Sequence, residues 1–344
     1  MYNSKFSKYS NNGLTGLANL GNTCYINSCL QILSHCYDFN ELMETNKLNN
    51  LNNINDSILL KEWKNLRDLM WSKNCTISPN RFINSVQLIS RNKNLELFSG
   101  FAQNDLPEFL MFLIDCFHNS LKRKVSMKVT GNPENNKDIL AKNCFNMIKE
   151  MYSENYSELL KLFYGIQVSL IRSEDKYEIL SVKPEPFCII NLPIIENTDE
   201  CSIYECFNNF TCNELLKEDN AWFNEKKNRK ENVYKSLCFW SFPDIIIIDL
   251  KRFNNYNKKI GTLVNAPLEN LNLSDYIVGY DKEVYKYDLF GVCNHLGSCS
   301  GGHYTAYVKN ANNKWYSFND TVVAEIDNSK IMTNKAYCLF YKKR

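Results

Sequence analysis

The sequence predicts an α+β protein, because apolar residues at helical spacing dominate its first third and short apolar strands dominate the remainder. Helical spacing is clear over residues 58–70, and Pro79 opens a second amphipathic stretch. Residues 245–248 are four consecutive isoleucines, which is typical of a strand buried on both faces. With 344 residues, 44% of them apolar, the chain is long enough to bury a large core in one or two domains.

The first helix is predicted within residues 16–31, where a turn rich in Gly and Asn runs into an apolar pattern. Asn22 or Thr23 occupies the N-cap in this interpretation, so Cys24 lies in the first helical turn. Unpaired backbone N–H groups and the positive end of the helix dipole favour a thiolate there. A cysteine at such a position is also commonly a small buried residue, so the local pattern leaves nucleophile and core residue both open.

Two segments near the C-terminus supply the other groups that a cysteine nucleophile needs. Residues 301–307 read Gly-Gly-His-Tyr-Thr-Ala-Tyr, and residues 314–320 read Lys-Trp-Tyr-Ser-Phe-Asn-Asp. A general base and a third group that fixes its tautomer are required, which His303 and either Asn319 or Asp320 provide. Period-two alternation puts His303 and Tyr304 on opposite faces of a strand, and a hairpin to the next strand would bring Asn319 beside His303.

Residues 16–31 match throughout the pattern Gly-Leu-x-Asn-Leu-Gly-Asn-Thr-Cys-Tyr-x-Asn-x-x-Leu-Gln. Together with the segment around His303 they closely resemble the Cys box and His box of the ubiquitin-specific proteases, a family of deubiquitinating cysteine peptidases. The order Cys, His, Asn/Asp is also that of papain-like proteases. The resemblance extends from residue 14 to the C-terminus and implies a papain-like α+β fold.

In that family the fold has three parts, and the resemblance implies where they lie in this chain. A helical thumb covers about residues 14–121, and β-fingers cover about residues 163–182 and 201–242. A β-sheet palm takes the remainder, and residues 1–13 are a short polar extension.

The resemblance also implies the catalytic roles. Cys24 attacks the carbonyl of the C-terminal glycine of ubiquitin, and His303 acts as general acid and base. Asn19 and the Cys24 backbone N–H meet the negative charge that develops on the carbonyl oxygen. The family's third position falls on Asn319, whose carbonyl is expected to hold the Nδ1–H of His303, and Asp320 matches an adjacent acid that shares the task.

A third stretch, residues 98–109, predicts a helix start with Asp105 as N-cap and Glu108 three residues later. It is similar to the family's Gln-Gln-Asp-x-x-Glu-Phe segment, whose acidic residues bind the arginine-bearing tail of ubiquitin. The chain departs from that pattern with Asn104 in place of the second Gln and with Pro107, which a first helical turn tolerates. The substrate-binding residues that the resemblance implies are Gln103, Asp105, Glu108, Gly302 and Tyr304.

Many family members hold one structural zinc between two Cys-x-x-Cys pairs in the fingers. Here Ser173 and Lys176 stand at the first pair, and residues 222–227 contain no cysteine. Cys201, Cys206 and Cys212 lie nearby at wider spacing, which leaves a zinc site as a minor alternative. We therefore predict no metal and no cofactor, with the fingers packed by the aromatic side chains of Trp222, Phe223, Tyr234 and Phe239.

Several smaller features complete the expectations. Residues 122–142 are polar and predict a surface loop, and residues 296–302, rich in glycine, predict a mobile loop beside His303. His35 and His118 are expected to be capping or surface residues at helix C-termini. His295 matches a family histidine for which an orienting role is possible.

Composition excludes other classes of function. A net charge of +2 without a basic run gives no reason to expect nucleic acid, and the longest aliphatic run is far too short for a membrane. The fourteen cysteines form no Cys-x-x-Cys pair and no signal-peptide pattern precedes them, which favours a reduced compartment. We expect a cytoplasmic or nuclear monomer that is not secreted, with ubiquitin and ubiquitinated proteins as partners.

Two alternatives remain at this stage. A peptidase for another ubiquitin-like modifier would keep the same catalytic residues. A catalytically silent ubiquitin-binding module is disfavoured, because this chain keeps Cys24, His303 and Asn19.

Overall fold

The computed structural model describes residues 4–44, 51–52 and 54–344. Its helices are α1 (Cys24–Ser34), α2 (Tyr37–Met43), α3 (Asp56–Ser72), α4 (Asn80–Asn92), α5 (Leu106–Leu121), α6 (Asn136–Tyr152), α7 (Leu159–Phe163) and α8 (Ile203–Thr211). Its strands are β1 (Gly16–Leu17), β2 (Thr76–Ile77), β3 (Gly165–Ser173), β4 (Ile179–Phe187), β5 (Ile189–Pro193), β6 (Glu200–Ser202), β7 (Glu214–Leu216), β8 (Trp222–Asn224), β9 (Arg229–Glu231), β10 (Val233–Ser241), β11 (Ile245–Lys251), β12 (Leu263–Asn265), β13 (Leu271–Asn272), β14 (Lys286–Ser298), β15 (Gly301–Lys309), β16 (Trp315–Asn319), β17 (Val322–Ile326) and β18 (Ala336–Lys343). Within those ranges, no helix combines the length and the apolarity that crossing a membrane requires.

Helices α1 to α5 form the part of the molecule that we call the thumb. The predicted helices over residues 58–70, after Pro79 and after Asp105 are confirmed as α3, α4 and α5. Their apolar stripes meet in one core around Trp63 and Phe109, both of which are fully buried. Burying a side chain of this size stabilises the fold by about 2–3 kcal/mol, so the core fixes how the helices are oriented.

The palm is an eight-stranded sheet in the order β17, β16, β15, β14, β18, β11, β5, with β13 paired to β14. Helix α1 lies against β14, β15 and β16, and all of its side chains are buried. The predicted alternation along β15 is confirmed, because Tyr304, Ala306 and Val308 are buried in the core that the sheet shares with the thumb. This packing brings the start of α1 next to the strand that carries His303.

The predicted buried strand is confirmed as β11, which lies inside the sheet between β18 and β5. Arg252 follows it, fully buried, and donates to the backbone carbonyls of Ala336, Ile260 and Thr262. The sequence of residues 187–192 alternates or runs apolar as a single strand would, and that interpretation is wrong, because β4 ends and β5 begins on either side of Cys188.

The fingers, as we use the word below, are the four-stranded sheet in the order β4, β3, β10, β7 together with the hairpin of β8 and β9. Helix α6 packs on the four-stranded sheet through Cys144, which is fully buried beside Trp240 and Val168. The loop predicted over residues 122–142 is therefore wrong in its last part, since α6 begins inside it. The missed signal is Asn135, an N-cap whose side chain accepts the backbone N–H of Asp138 at 3.0 Å.

Of the four aromatic side chains predicted to pack the fingers, Phe239 is fully buried against Phe187 and Phe242, as predicted. The β8–β9 hairpin, in contrast, is tied by polar contacts. Phe223 is 49% exposed, whereas Glu231 accepts hydrogen bonds from Asn224 at 2.8 Å, Lys227 at 3.0 Å and Arg229 at 2.7 Å. These donors hold the pKa of the Glu231 carboxyl down at about 2. The cationic and amide groups around one carboxylate thus link the two strands.

The nearby cysteines are arranged as a pair and not as a cluster. The sulfur atoms of Cys201 and Cys206 lie 3.6 Å apart in a buried position, while Cys212 is exposed. In the part of the chain that the structure describes, no three His, Cys, Asp or Glu side chains are grouped so that they could hold a metal ion. The metal-free fingers, like the bounds of thumb, palm and fingers, stay a prediction.

His35 was expected to be a cationic capping or surface residue, and the structure confirms its position at the helix terminus but not its charge. It is the C-cap residue of α1, but it is buried, with its ring 5.1 Å from Trp71 and 5.4 Å from Phe318 between ring centroids. Burial lowers the pKa of His35 to about 4, so the ring is neutral and the expected cation at the helix terminus is absent. His118, in the last turn of α5, shares a hydrogen bond of 2.7 Å between Nδ1 and the Ser157 hydroxyl.

Candidate active site

Cys24 is the first residue of α1, and Thr23 is the N-cap residue, one of the two positions that the sequence left open. The side chain of Cys24 lies under the β15 strand and is only 2% exposed. Burial raises the pKa of the Cys24 thiol, while the backbone N–H of Tyr304 and the N–H groups at the start of α1 act in the opposite direction. In the free protein, burial outweighs the stabilisation of the thiolate that the helix start was expected to provide.

His303 and Asn319 are brought together by the hairpin of β15 and β16, as the sequence predicted. The Nε2 atom of His303 lies 2.7 Å from Oδ1 of Asn319. The prediction that Asn319 would hold Nδ1 is therefore wrong, and the contact is made by the other ring nitrogen. Because an amide oxygen only accepts, Nε2 carries the proton and Nδ1 is the basic nitrogen of the ring.

Asp320 turns away from His303 and binds the segment that precedes Cys24. Its Oδ1 accepts from Nδ2 of Asn27 at 2.8 Å, and its Oδ2 accepts from Nδ2 of Asn19 at 3.0 Å. Its backbone carbonyl accepts the N–H of Leu17 at 2.9 Å. A positive φ of 49° at Asp320 makes this turn possible immediately after Asn319.

Asn19 is held with a defined orientation. Its Oδ1 accepts the backbone N–H groups of Gly21 and Thr23, both at 3.1 Å, so Nδ2 points the other way. One Nδ2 hydrogen goes to Asp320, and the second remains for an oxyanion. Asn27 was missed by the sequence analysis, although its place three residues after Cys24, on the same helix face, is a usable signal.

Gln103 and Gly302 form a bridge between thumb and palm. The Gly302 N–H donates to Oε1 of Gln103 at 2.7 Å, and Nε2 of Gln103 donates to the Gly302 carbonyl at 2.9 Å. The glycine-rich segment that we expected to be a mobile loop is a continuation of the β14–β15 hairpin, with Gly297 paired to Gly302. Regular pairing up to the turn gives this segment more backbone hydrogen bonds than a loop would have.

Asp105 is the N-cap of α5, as predicted, and accepts the Glu108 N–H at 3.3 Å. Its other oxygen accepts the hydroxyl of Tyr337 at 2.5 Å, a contact for which the sequence gives no signal. Pro107 lies in the first turn without breaking the helix. Tyr304 has its ring buried against His295 at 4.7 Å between centroids, so its backbone N–H, and not its hydroxyl, faces Cys24.

An acidic cleft of about 1060 Å³ runs between thumb and palm. Four carboxylates line it, those of Asp105, Glu108, Asp115 and Asp249, together with one cation, Lys93. Burial raises the pKa of all four, and the pKa of Asp249 reaches about 7. Asp115 and Asp249 were not among the predicted site residues, because they lie within a helix and a strand that carry no recognisable motif.

Known proteins resemble this chain both in sequence and in structure. A family model described as ubiquitin carboxyl-terminal hydrolase matches residues 15–341 of the chain. Ubiquitin carboxyl-terminal hydrolase 2 of Homo sapiens is 32% identical over 342 residues, which cover 96% of this chain and 55% of the relative. The protein of the same name from Gallus gallus is 33% identical over 346 residues, which cover 96% of this chain and 93% of the relative. The chain spans about half the length of the mammalian relatives that it matches.

Among solved structures, the SAGA Ubp8/Sgf11/Sus1/Sgf73 DUB module bound to ubiquitin aldehyde superimposes with a TM-score of 0.74. The sequence identity is 26%, and the match covers 98% of this chain and 71% of that chain. The α+β, papain-like fold predicted from the sequence is confirmed by this likeness.

Proposed function

Because the chain belongs to the ubiquitin carboxyl-terminal hydrolase family, we propose that it is a deubiquitinating cysteine peptidase that cleaves the bond after the C-terminal glycine of ubiquitin. The observation that carries this proposal is the meeting of three elements. Helix α1 begins at Cys24 against the strand of His303, and Asn319 holds Nε2 of that histidine. Nucleophile, base and orienting group are thereby present in one place.

The reaction follows from these contacts. Nδ1 of His303 takes the proton of the Cys24 thiol, and the thiolate attacks the carbonyl carbon of the terminal glycine of ubiquitin. The resulting imidazolium protonates the leaving amine, which gives a thioester between Cys24 and ubiquitin. His303 then removes a proton from water, and hydrolysis of the thioester releases ubiquitin and regenerates the thiol.

Asn19 is suited to stabilise both tetrahedral intermediates. Its free Nδ2 hydrogen and the backbone N–H of Cys24 are the two donors for the oxyanion. Asp320 accepts the other Nδ2 hydrogen of Asn19 and so fixes the orientation of that amide. One such donor is worth a factor of about 10²–10³ in kcat.

Ubiquitin as the substrate is supported by the chemistry of the cleft. Four carboxylates facing one channel suit a cationic peptide, and the resemblance noted above implies an arginine-bearing tail. The Gln103–Gly302 bridge lines a smaller cavity that shares Asp105 and Tyr337 with this channel, and a tail ending in glycines has no side chain to obstruct it there.

The test is labelling with ubiquitin that carries a C-terminal electrophile. We expect one covalent adduct at Cys24, seen by intact mass and peptide mapping, and none with Cys24→Ala. Cys24→Ala should keep its melting temperature and its affinity for ubiquitin, because it removes one sulfur atom from a cleft. Cys212→Ala is the matched control, since Cys212 is an exposed cysteine at the end of α8, and its loss should leave labelling unchanged.

The same experiment separates the alternatives. Stronger labelling by a probe built on another ubiquitin-like modifier would replace ubiquitin as the substrate. Tight binding of ubiquitin without any adduct or turnover would identify a silent binding module.

A further inference from the structure

His295 is a buried histidine of β14 that the proposed reaction does not use. It is 4% exposed, and its ring packs on Tyr304 at 4.7 Å, Tyr337 at 5.5 Å and Phe253 at 5.8 Å between centroids. Three aromatic rings thus fix the plane of the imidazole. A buried imidazole whose position is fixed in this way presents its two nitrogens in defined directions.

Lys259 determines which nitrogen carries the proton. Its ammonium group lies 3.2 Å from Nδ1 of His295 and 2.7 Å from the His295 carbonyl oxygen. An ammonium group can only donate, so Nδ1 accepts and the proton of the neutral ring is on Nε2. Burial, and after it the charge of Lys259, lowers the pKa of His295 to about 4, so the ring is neutral at physiological pH.

Nε2 points to the backbone at Gly302. A Cβ atom added to Gly302 would lie 2.4 Å from Nε2 of His295, which shows how closely the nitrogen approaches this segment. Both residues line a cavity of about 200 Å³ that shares Asp105 and Tyr337 with the acidic cleft. Within residues 4–44, 51–52 and 54–344, no protein group accepts a hydrogen bond from Nε2.

Nε2 borders this cavity and its proton is not shared with any described protein group, so an acceptor on a bound substrate can take that hydrogen bond. The only polar groups of a diglycine tail are those of its backbone, and its carbonyl oxygens are acceptors. Gly302 lines this cavity and directly precedes His303, the proposed base, so a tail bound in the cavity lies close to the strand position where the reaction is proposed to take place.

We propose that His295 is a substrate-binding residue whose Nε2–H donates a hydrogen bond to a backbone carbonyl of the substrate's C-terminal tail beside Gly302, with Lys259 as the positioning residue that sets the tautomer. This assignment rests on the proposed function. It gives a role to a neutral histidine whose Nδ1 contacts Lys259 and whose Nε2 lies beside Gly302. It also provides a side-chain donor that can hold a peptide through its backbone alone.

Steady-state kinetics with ubiquitin carrying a C-terminal aminomethylcoumarin tests the assignment. His295→Phe keeps a packed ring but has no donor, and we expect it to raise KM about three- to tenfold with little change in kcat. His295→Gln is the matched variant, because its amide nitrogen can replace Nε2 as a donor. It should return KM to within about twofold of the wild type. An unchanged KM in His295→Phe, or a fall in kcat alone, overturns the proposal.

Binding to the Cys24→Ala enzyme locates the contact. His295→Phe in that background should weaken the affinity for full-length ubiquitin by the same factor as KM. It should leave the affinity for ubiquitin lacking its last two glycines unchanged. Equal losses for both ligands would mean that the residue acts through folding of the site, and the proposal would be wrong.

The tautomer is measured without any substrate. In nitrogen-15 correlation spectra of the wild-type protein, the His295 proton should be on Nε2, and Lys259→Met should shift it partly to Nδ1. A proton on Nδ1 in the wild type overturns the assignment even where the variants do not fold. Failure of the wild type to cleave or bind ubiquitin would instead overturn the proposed function, so the two failures are distinguishable.

Discussion

Asn319 and Asp320 are adjacent in the chain, yet they serve different partners. Asn319 contacts the imidazole of His303, whereas Asp320 contacts the amides of Asn19 and Asn27. The sequence left one task, the orientation of His303, to both residues. In the reaction that we propose, Asn319 orients His303, and Asp320 instead orients the amide of Asn19.

We expect Asp320→Ala to lower kcat about 10- to 100-fold, because Asn19 loses the group that fixes its amide. Asn19→Ala should lower kcat by a similar factor, and the double variant should be no slower than the slower single variant. Asn319→Ala combined with Asn19→Ala should instead multiply the two losses, since those side chains act on different groups. Rates of ubiquitin–aminomethylcoumarin hydrolysis decide this. Additive losses for Asp320 and Asn19 would show that Asp320 acts independently of the oxyanion site.

Strand β11 carries a charged residue where an apolar one would be usual. Asp249 lines the acidic cleft, and burial followed by the charge of Asp105 raises its pKa to about 7. An aspartate in the unfolded chain has a pKa near 3.8. Between these two values the folded protein holds a proton that the unfolded chain has lost, so the free energy of unfolding falls as the pH rises through this window.

Asp249→Asn should therefore stabilise the free protein at pH 8, by about 2–4 kcal/mol, and much less at pH 4. Denaturant unfolding of both proteins at a series of pH values measures the difference. The exposed Asp199 offers a matched control, and Asp199→Asn should change stability little at any pH. A gain at Asp249 that is the same at pH 4 and pH 8 would rule out ionisation as its cause.

At the scale of the whole molecule, the fingers are held together by polar contacts in one part and by apolar packing in another. The β8–β9 hairpin is joined through Glu231 and its donors, and the four-stranded sheet is joined to α6 by apolar packing. A structural zinc would need four thiolate or imidazole ligands, and Ser173 and Lys176 offer none at the first ligand pair.

We therefore expect the purified protein to contain no stoichiometric zinc and to keep its melting temperature in a chelator. Elemental analysis and thermal unfolding with and without the chelator test this. Glu231→Gln tests the polar contacts that join β8 and β9, because it removes the charge that Lys227 and Arg229 contact. It should leave the global melting temperature nearly unchanged while increasing hydrogen exchange in β8 and β9. A large drop in melting temperature in the chelator would contradict the prediction.

Local patterns in the sequence determined much of this protein. The Gly- and Asn-rich turn before an apolar helix placed Cys24 at a helix start, and strand alternation placed His303 opposite buried Tyr304. The capping spacing placed Asp105 before α5. Each of these is a short-range property, because backbone hydrogen bonds and side-chain periodicity depend on residues a few positions apart.

The tertiary structure alone decided which groups meet. It separated Asn319 from Asp320, selected Nε2 of His303 for the contact with Asn319, and put Lys259 behind His295. It also buried Cys24 deeply enough to raise its thiol pKa. These outcomes depend on how distant elements pack and on the dielectric that the packing creates. Neither is encoded in any short segment of the chain.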